Sequence, residues 1–346
     1  LKLKRFDQPT QPSTHTVDLN SSVSLEMIWV EPGTFTMGSP TTEPARRNDE
    51  TEHNVTLTQG FYLGKYEVTQ AQYEVVMAGN THGLSATPST WSNNPNRPVN
   101  GVTWNDVQIF LTRLNDREQA AGRLPSGWSY VLPTESQWEY ACRAGTTTTL
   151  PWGDVLGSEN NDINPNANIN SSIGQTSDVG QYPANSWGFF DMIGNVWEWT
   201  ADWYQAEYPI GNPVVDPTGP VSGTYRVIRG QGYMFEPYGY PRSAQRESSM
   251  PNSSYSAGFR VAYKKIQPVQ PPTHTVDLNS SVNLEMIWVE PGTFTMGSPT
   301  SESGRSSDET QHQVTLTQGF YLGKYEVTQA QYEAVMTGNP QGLNPK

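Results

Sequence analysis

One stretch of this chain occurs twice. THTVDLNSSVSLEMIWVEPGTFTMGSP begins at Thr14 and returns with one change, THTVDLNSSVNLEMIWVEPGTFTMGSP, at Thr273. The offset of 259 residues holds to Asn80 and Asn339, with 10 differences over 67 aligned positions. Seven of them fall between positions 42 and 54, in a segment rich in Glu, Arg, Asn and Pro. That is the pattern of a tolerant surface loop between two constrained segments. The period is far longer than the roughly 20–50 residues of solenoid units. It describes a duplicated domain, and each domain must close its core within one period.

The boundaries follow from the repeat. KKIQPVQPP from Lys264 is a Pro- and Gln-rich linker, and KRFDQPTQPS from Lys4 resembles it in register. We expect a linker remnant over 1–12, one complete domain over 13–264 and a linker over 265–272. Residues 273–346 are expected to be the N-terminal part of a second copy, too short to complete a core and either poorly ordered in isolation or docked elsewhere. The chain begins LKLKRFDQ, without an initiator Met or signal-peptide core, and reads as a piece of something longer.

Within the domain, MIWVEPGTFTMGS reads as strand, Pro-Gly turn and strand, a hairpin. TQAQYEVVM opens a helix capped by Thr69 with Gln72 three residues on. A second helix carries Val107, Phe110, Leu111 and Leu114 on one stripe, with Thr103 or Asn105 as cap and Gly122 at its end. LPTESQWEYACRAG is a third, with Thr134 and Gln137 as a capping box and Gly145 at its end. Residues 146–190 lack periodicity and read as long ordered loop, followed by short strands in GNVWEWT, YRVIRGQGY and GFRVAY. Only 34% of residues are hydrophobic, so the 11 Trp, 17 Tyr and 10 Phe must supply much of the core. The fold class is α+β: a few helices and short, mostly antiparallel strands in much irregular loop.

The net charge of −13 argues against nucleic-acid and anionic-membrane partners, which need clustered Lys and Arg. No run is apolar enough to span a bilayer. Cys142 is the only cysteine, which excludes an intramolecular disulfide and any Cys-based zinc or iron–sulfur site.

Nine phrases, in order, resemble the formylglycine-generating enzyme, or sulfatase-modifying factor, family. They are MIWVEPGTFTMGS, YEVTQAQYEVVM, PVNGVTWNDVQIF, LPTESQWEYACRAGTTT, PWGD, NSWGFFDMIGNVWEWTADWY, RVIRGQGY, RSAQRES and GFRVAY, and they span residues 25–262. The resemblance implies a variant of the C-type-lectin-like fold. It also implies an activity: aerobic members bind copper(I) with two cysteine thiolates and oxidise a substrate cysteine to formylglycine. Copper(I) is soft and prefers thiolates, and the mechanism needs a thiol that can exchange with the substrate's.

This chain departs from the family there. The segment reads RGQGYMFEPYGYPRSAQRES, with Phe235 and Tyr240 where the cysteine pair is expected and Gly232 where the family has serine. Copper is therefore not expected. Cys142, on the third helix, reads as a buried structural thiol. The five histidines are scattered and suggest no alternative redox metal.

DMIGNVWEWTADWY, 191–204, sets three tryptophans among carboxylates. The resemblance implies a structural calcium site there, with ligands from the Asp191 and Glu198 side chains and the Gly194 and Val196 carbonyls. Oxygen donors of this kind suit a hard cation, while the bland reading is solvated or turn-capping carboxylates. A second family calcium site would use Asn168 and Ile169, but its downstream acidic loop looks shortened. Trp199 and Trp203 read as core, and Trp197 as a pocket wall by its family counterpart. A sugar platform is a further reading of these aromatics. Arg242 and Arg246 either hold an acidic ligand group by bidentate hydrogen bonds or pair with internal carboxylates. Tyr233, Phe235, Tyr238 and Tyr240 form an aromatic loop suited to binding.

Three functions compete. One is a calcium-stabilised, non-catalytic module binding a protein, peptide or glycan through residues 231–246. Another is a sulfatase-modifying oxidase, and the third a structural spacer. The first is favoured, with a secreted, periplasmic or cell-surface location.

Overall fold

The computed structural model describes residues 13–92, 94–154, 165–169, 173–208, 213–234, 241–254, 256–266, 273–289, 292–316 and 319–337. The chain divides into two compact units, Leu1–Ile266 and Gln267–Lys346.

The first unit runs β1 (Thr14–Asp18), β2 (Ser24–Val30), β3 (Gly33–Met37), β4 (His53–Leu57), β5 (Phe61–Gly64), α1 (Gln70–Met77), α2 (Trp104–Ala120), β6 (Trp128–Val131) and α3 (Glu135–Arg143). Six strands follow: β7 (Trp197–Trp203), β8 (Val214–Val215), β9 (Arg226–Arg229), β10 (Arg246–Ser249), β11 (Ala257–Gly258) and β12 (Ala262–Lys265). They build three sheets, ordered β1-β2-β5-β12-β6, β10-β9-β7-β11 and β3-β4-β8. Pairing is antiparallel except for β4 with β8 and β7 with β11. The α+β architecture and its large share of loop agree with the fold expected from the sequence.

All three helices start at the threonines expected. Thr69, Thr103 and Thr134 each close a complete capping box, with Gln72, Asp106 and Gln137 as the reciprocal partners. Each box satisfies two otherwise orphaned backbone donors. At the end of α3, Ala144 itself adopts the left-handed conformation ahead of Gly145.

The hairpin reading of MIWVEPGTFTMGS is corrected. β2 and β3 do not pair: β2 lies between β1 and β5, whereas β3 pairs with β4. Glu31 and Pro32 hand the chain from one sheet to another. A turn signal fixes a reversal of direction, but pairing depends on which strand covers the apolar face.

Two apolar clusters form the core. Tyr73 of α1 stacks on Phe110 of α2 at 5.5 Å, and Phe259 meets Phe110 edge-on at 5.1 Å. The second cluster gathers Phe61, Leu63, Trp138, Cys142, Leu150 and Phe189 behind α3. The described parts of 146–190 carry no helix or strand and are held by side-chain bonds, such as Asn94 Nδ2 to Asp178 Oδ1 at 2.6 Å.

The second unit contains β13 (Thr273–Asp277), β14 (Asn283–Val289), β15 (Gly292–Met296), β16 (His312–Leu316), β17 (Phe320–Gly323) and α4 (Gln329–Met336). Its sheets are β13-β14-β17 and β15-β16. The register repeats that of the first unit: Thr14 faces Ile28, and Thr273 faces Ile287. Much of its apolar surface is exposed. Among the described residues, no helix is long and apolar enough to cross a membrane.

Candidate functional site

Arg229, Arg242 and Arg246 are buried among carboxylates. Arg242 has Nη1 on Glu43 (2.8 Å) and Glu50 (2.5 Å) and Nη2 on Glu50 (2.7 Å). Arg246, the first residue of β10, grips Glu135 through Nε (2.8 Å) and Nη2 (2.7 Å). Its Nη1 donates to the carbonyls of Asp49 and Gln205. Arg229, on β9, binds Glu139 and lies 3.5 Å from Glu135. A buried charge is tolerated only when paired and hydrogen-bonded. Of the two readings of Arg242 and Arg246, the internal ion pair describes their surroundings. Both side chains are buried.

Tyr233, Met234 and Trp91 form an accessible rim, with Gln231 buried beside them in the chain. The Tyr233 N–H donates to Asn195 O at 2.9 Å, and its hydroxyl accepts the Trp91 indole N–H at 3.1 Å. Met234 is exposed. Gln231 has φ +59° and is buried, with neither amide atom hydrogen-bonded among the described residues. A left-handed glutamine with an unpaired buried amide is costly on both counts. Its only sequence signal was a long side chain between the glycines of RGQG. Phe235 and Tyr240, and Tyr238 between them, lie outside the described residues.

Trp197 is buried in the same core as Trp199, so the wall expected of it is covered. The reason is topological: β7 is an interior strand between β9 and β11. Trp203, expected in the core, is only half-buried, beneath the Arg226 guanidinium at 3.5 Å. Cys142 is fully buried in the α3 core. Burial pushes its thiol up to about 12, so it stays protonated near neutral pH.

A carboxylate cluster lies behind the rim. Glu198 accepts from Arg260 Nε (2.7 Å) and Nη2 (2.6 Å) and from the Trp138 indole (2.8 Å). Asp191, at φ +55°, accepts the Gly180 N–H at 2.7 Å. Glu67 accepts from Asn195 Nδ2 (2.7 Å) and the Val196 N–H (3.2 Å). Burial, then Glu198, raises Asp191 to about 6, against the Gly180 hydrogen bond and Arg260, which lower it. Glu67 is raised well above the usual carboxylate range by burial, then by Asp191 and Glu198. Three buried carboxylates thus face one guanidinium and leave an excess of negative charge. Glu67 and Arg260 were not singled out from the sequence, because they lie far from 191–198 in the chain.

This donor set fits a hard cation in charge and in oxygen type. Among the described residues no three Asp, Glu, His or Cys side chains converge closely enough to hold an ion by themselves. An ion would therefore depend on the carbonyls of Gly194 and Val196, and Glu198 would share it with Arg260. Gly194 has φ +90°, and a Cβ there would meet Asn168 O at 2.4 Å, so only glycine fits. Asn168 and Ile169 are buried; the Asn168 carbonyl accepts the Asn195 N–H at 2.9 Å. Beside Asp191, a cavity of about 220 Å³ is lined by residues including Trp152, Phe189 and Met192. The Trp152 indole N–H is buried, without a partner among the described residues.

The chain matches the family described as sulfatase-modifying factor enzyme 1-like domain over residues 15–265 and 274–342. Formylglycine-generating enzyme of Mus musculus is 31% identical over 297 residues, covering 68% of this chain and 74% of that protein. The formylglycine-generating enzyme of Streptomyces coelicolor is 34% identical over 187 residues, covering 49% and 53%. Among solved structures, PvdO from Pseudomonas aeruginosa has a TM-score of 0.62 at 28% identity, covering 74% of this chain and 99% of that one. Treponema denticola variable protein 1 shares the fold at a TM-score of 0.59 and 23% identity, covering 72% and 99%.

Proposed function

This chain belongs to the sulfatase-modifying factor enzyme 1-like family, and we propose that it serves there as a non-catalytic binding module. One observation carries the reading: its single thiol, Cys142, is sealed in the core and held protonated. Copper(I) chemistry needs accessible thiolates, and no second cysteine exists to form a pair. The residues present do not fit a copper(I) centre.

The binding surface is the rim of Tyr233, Met234 and Trp91. Its ligand is a protein, peptide or glycan segment that makes apolar contact with Met234 and Tyr233. Calcium is proposed as a structural ion at Asp191, Gly194, Val196 and Glu198, where it would offset the excess carboxylate charge and fix the turn. The charge imbalance around Glu67 and Asp191 supports that assignment.

The second reading is oxidation of a sulfatase cysteine, favoured by the 31% identity to the mouse enzyme. An assay separates the two. The chain is incubated with a Cys-x-Pro-x-Arg peptide, copper(I), oxygen and reductant, and the peptide is weighed by mass spectrometry. The binding module yields no aldehyde above a no-protein control, from protein that melts cooperatively. Aldehyde that disappears in Cys142→Ser overturns it.

A further inference from the structure

We propose that His15 is an acid-operated clasp: while neutral it ties strand β1 to the far edge of its sheet, and its protonation releases β1 ahead of the rest of the fold. β1 and β6 are the two edges of the sheet β1-β2-β5-β12-β6. Three strands separate them in that order, yet His15 of β1 and Tyr130 of β6 are hydrogen-bonded, Nε2 to hydroxyl, at 3.0 Å. The sheet therefore curls far enough for its two edges to meet through side chains, and one imidazole makes the bridge.

The bridge is built of rings. His15 stacks on Tyr263 of β12 at 4.7 Å and 15°, and lies 5.4 Å from Tyr62 of β5 and 6.3 Å from Tyr130. Tyr130 stacks in turn on Tyr263 at 4.4 Å. All three tyrosines are buried, whereas His15 is half-buried, so protons have access to it. Apart from this clasp β1 is lightly held. It pairs with β2 alone, and of its five residues only Val17 is fully buried. Elements with few buried apolar contacts open at lower cost than the core.

No group around His15 is placed to compensate a positive charge. The tyrosines are raised by burial and stay neutral near pH 7. Across the ladder, β2 offers Met27. From α2, Glu118 acts on His15, but its carboxylate is already gripped by Arg123, Nε to Oε2 at 2.8 Å and Nη2 to Oε1 at 2.6 Å. Burial holds the imidazole below its ordinary 6.5, against Glu118, which raises it. Release of β1 returns His15 to water and to that ordinary value. Between the two values the open form binds more protons than the closed form, so opening is favoured as pH falls. Histidine is the side chain that brings such a change to mildly acidic pH.

Hydrogen exchange of the full chain tests this, read by mass spectrometry from about pH 7.5 to about pH 5 and corrected for intrinsic rates. Peptides containing Ser24 report β1 and β2 and are told from the second copy by its Asn283. The β1 opening constant should rise as pH falls below 6.5, by up to about tenfold per pH unit, the limit for one proton, while β7 stays closed. His15→Phe keeps a stacking ring without the titrating nitrogen and should flatten the rise. Tyr130→Phe removes the hydroxyl and should increase opening at every pH with the slope kept. A slope that survives in His15→Phe, or opening of β7 in parallel with β1, overturns the clasp. So does an NMR titration of the His15 ring in the unaltered chain at or above 6.5, a reading that depends on no variant.

Discussion

Two stretches that differ at 10 of 67 positions make the same strands, the same register and the same capped helix, yet bury different amounts of themselves. In the first unit, Met27, Phe61, Leu63 and Tyr73 are core; in the second, Phe320, Leu322 and Tyr332 face solvent. Local structure therefore follows from local sequence here, and burial follows from what the rest of the domain supplies. The energetic weight of a residue should differ between the copies wherever it depends on tertiary packing, and agree wherever it depends on backbone capping.

The largest contrast should come from the ion pairs. Arg246→Ala leaves Glu135 buried without its bidentate partner and should destabilise the first unit by about 3–5 kcal/mol. Glu309→Gln in the second unit should leave its hydrogen exchange almost unchanged. Equal effects of the two changes would break the comparison.

A pH titration should distinguish the units next. Asp202 is raised to about 7 by burial, then by Glu135. Its unfolded value is near the ordinary 3.8. Between those values the native state holds a proton that the unfolded state has lost. The first unit should thus lose stability as pH rises from about 4 to about 7, on the order of a few kcal/mol, and Asp202→Asn should flatten the slope. In the second unit, Asp308 and Glu309 are lowered by the Ser306 and Ser298 hydroxyls. Their contribution has the opposite sign, present above the unfolded value and lost on acidification. Hydrogen exchange in β7 and β15 reads the two separately.

Packing gives a smaller contrast. Met27→Ala should cost about 2 kcal/mol or more; Met286→Ala, at a half-exposed site, should cost less than about 1 kcal/mol. Capping should give none. Thr69→Ala and Thr328→Ala each remove one side of an identical box and should each weaken their helix by about 1 kcal/mol. A clear difference between them would show that tertiary context reaches even the caps.

Much of the fold was legible because its signals are local. Thr69, Thr103 and Thr134 announce their helices through partners three residues away. The stripe of Val107, Phe110, Leu111 and Leu114 is buried as its spacing requires. The hairpin was misread because the partner of β3 is β4, 16 residues beyond its end. The site was less legible. Trp197 sits beside candidate ligands in the sequence, yet its strand is interior and both faces are covered. Gln231 gave only a compositional hint, and the Glu67–Arg260 pairing environment joins residues nearly 200 positions apart.

By itself, the sequence determined the duplication, the helix starts, the family resemblance and the single thiol. These rest on identity and on contacts within a few residues. Tertiary structure alone decided that Arg242 and Arg246 turn inward and that Trp197 is core. Burial and ion pairing are properties of what surrounds a residue, and those surroundings come from distant parts of the chain.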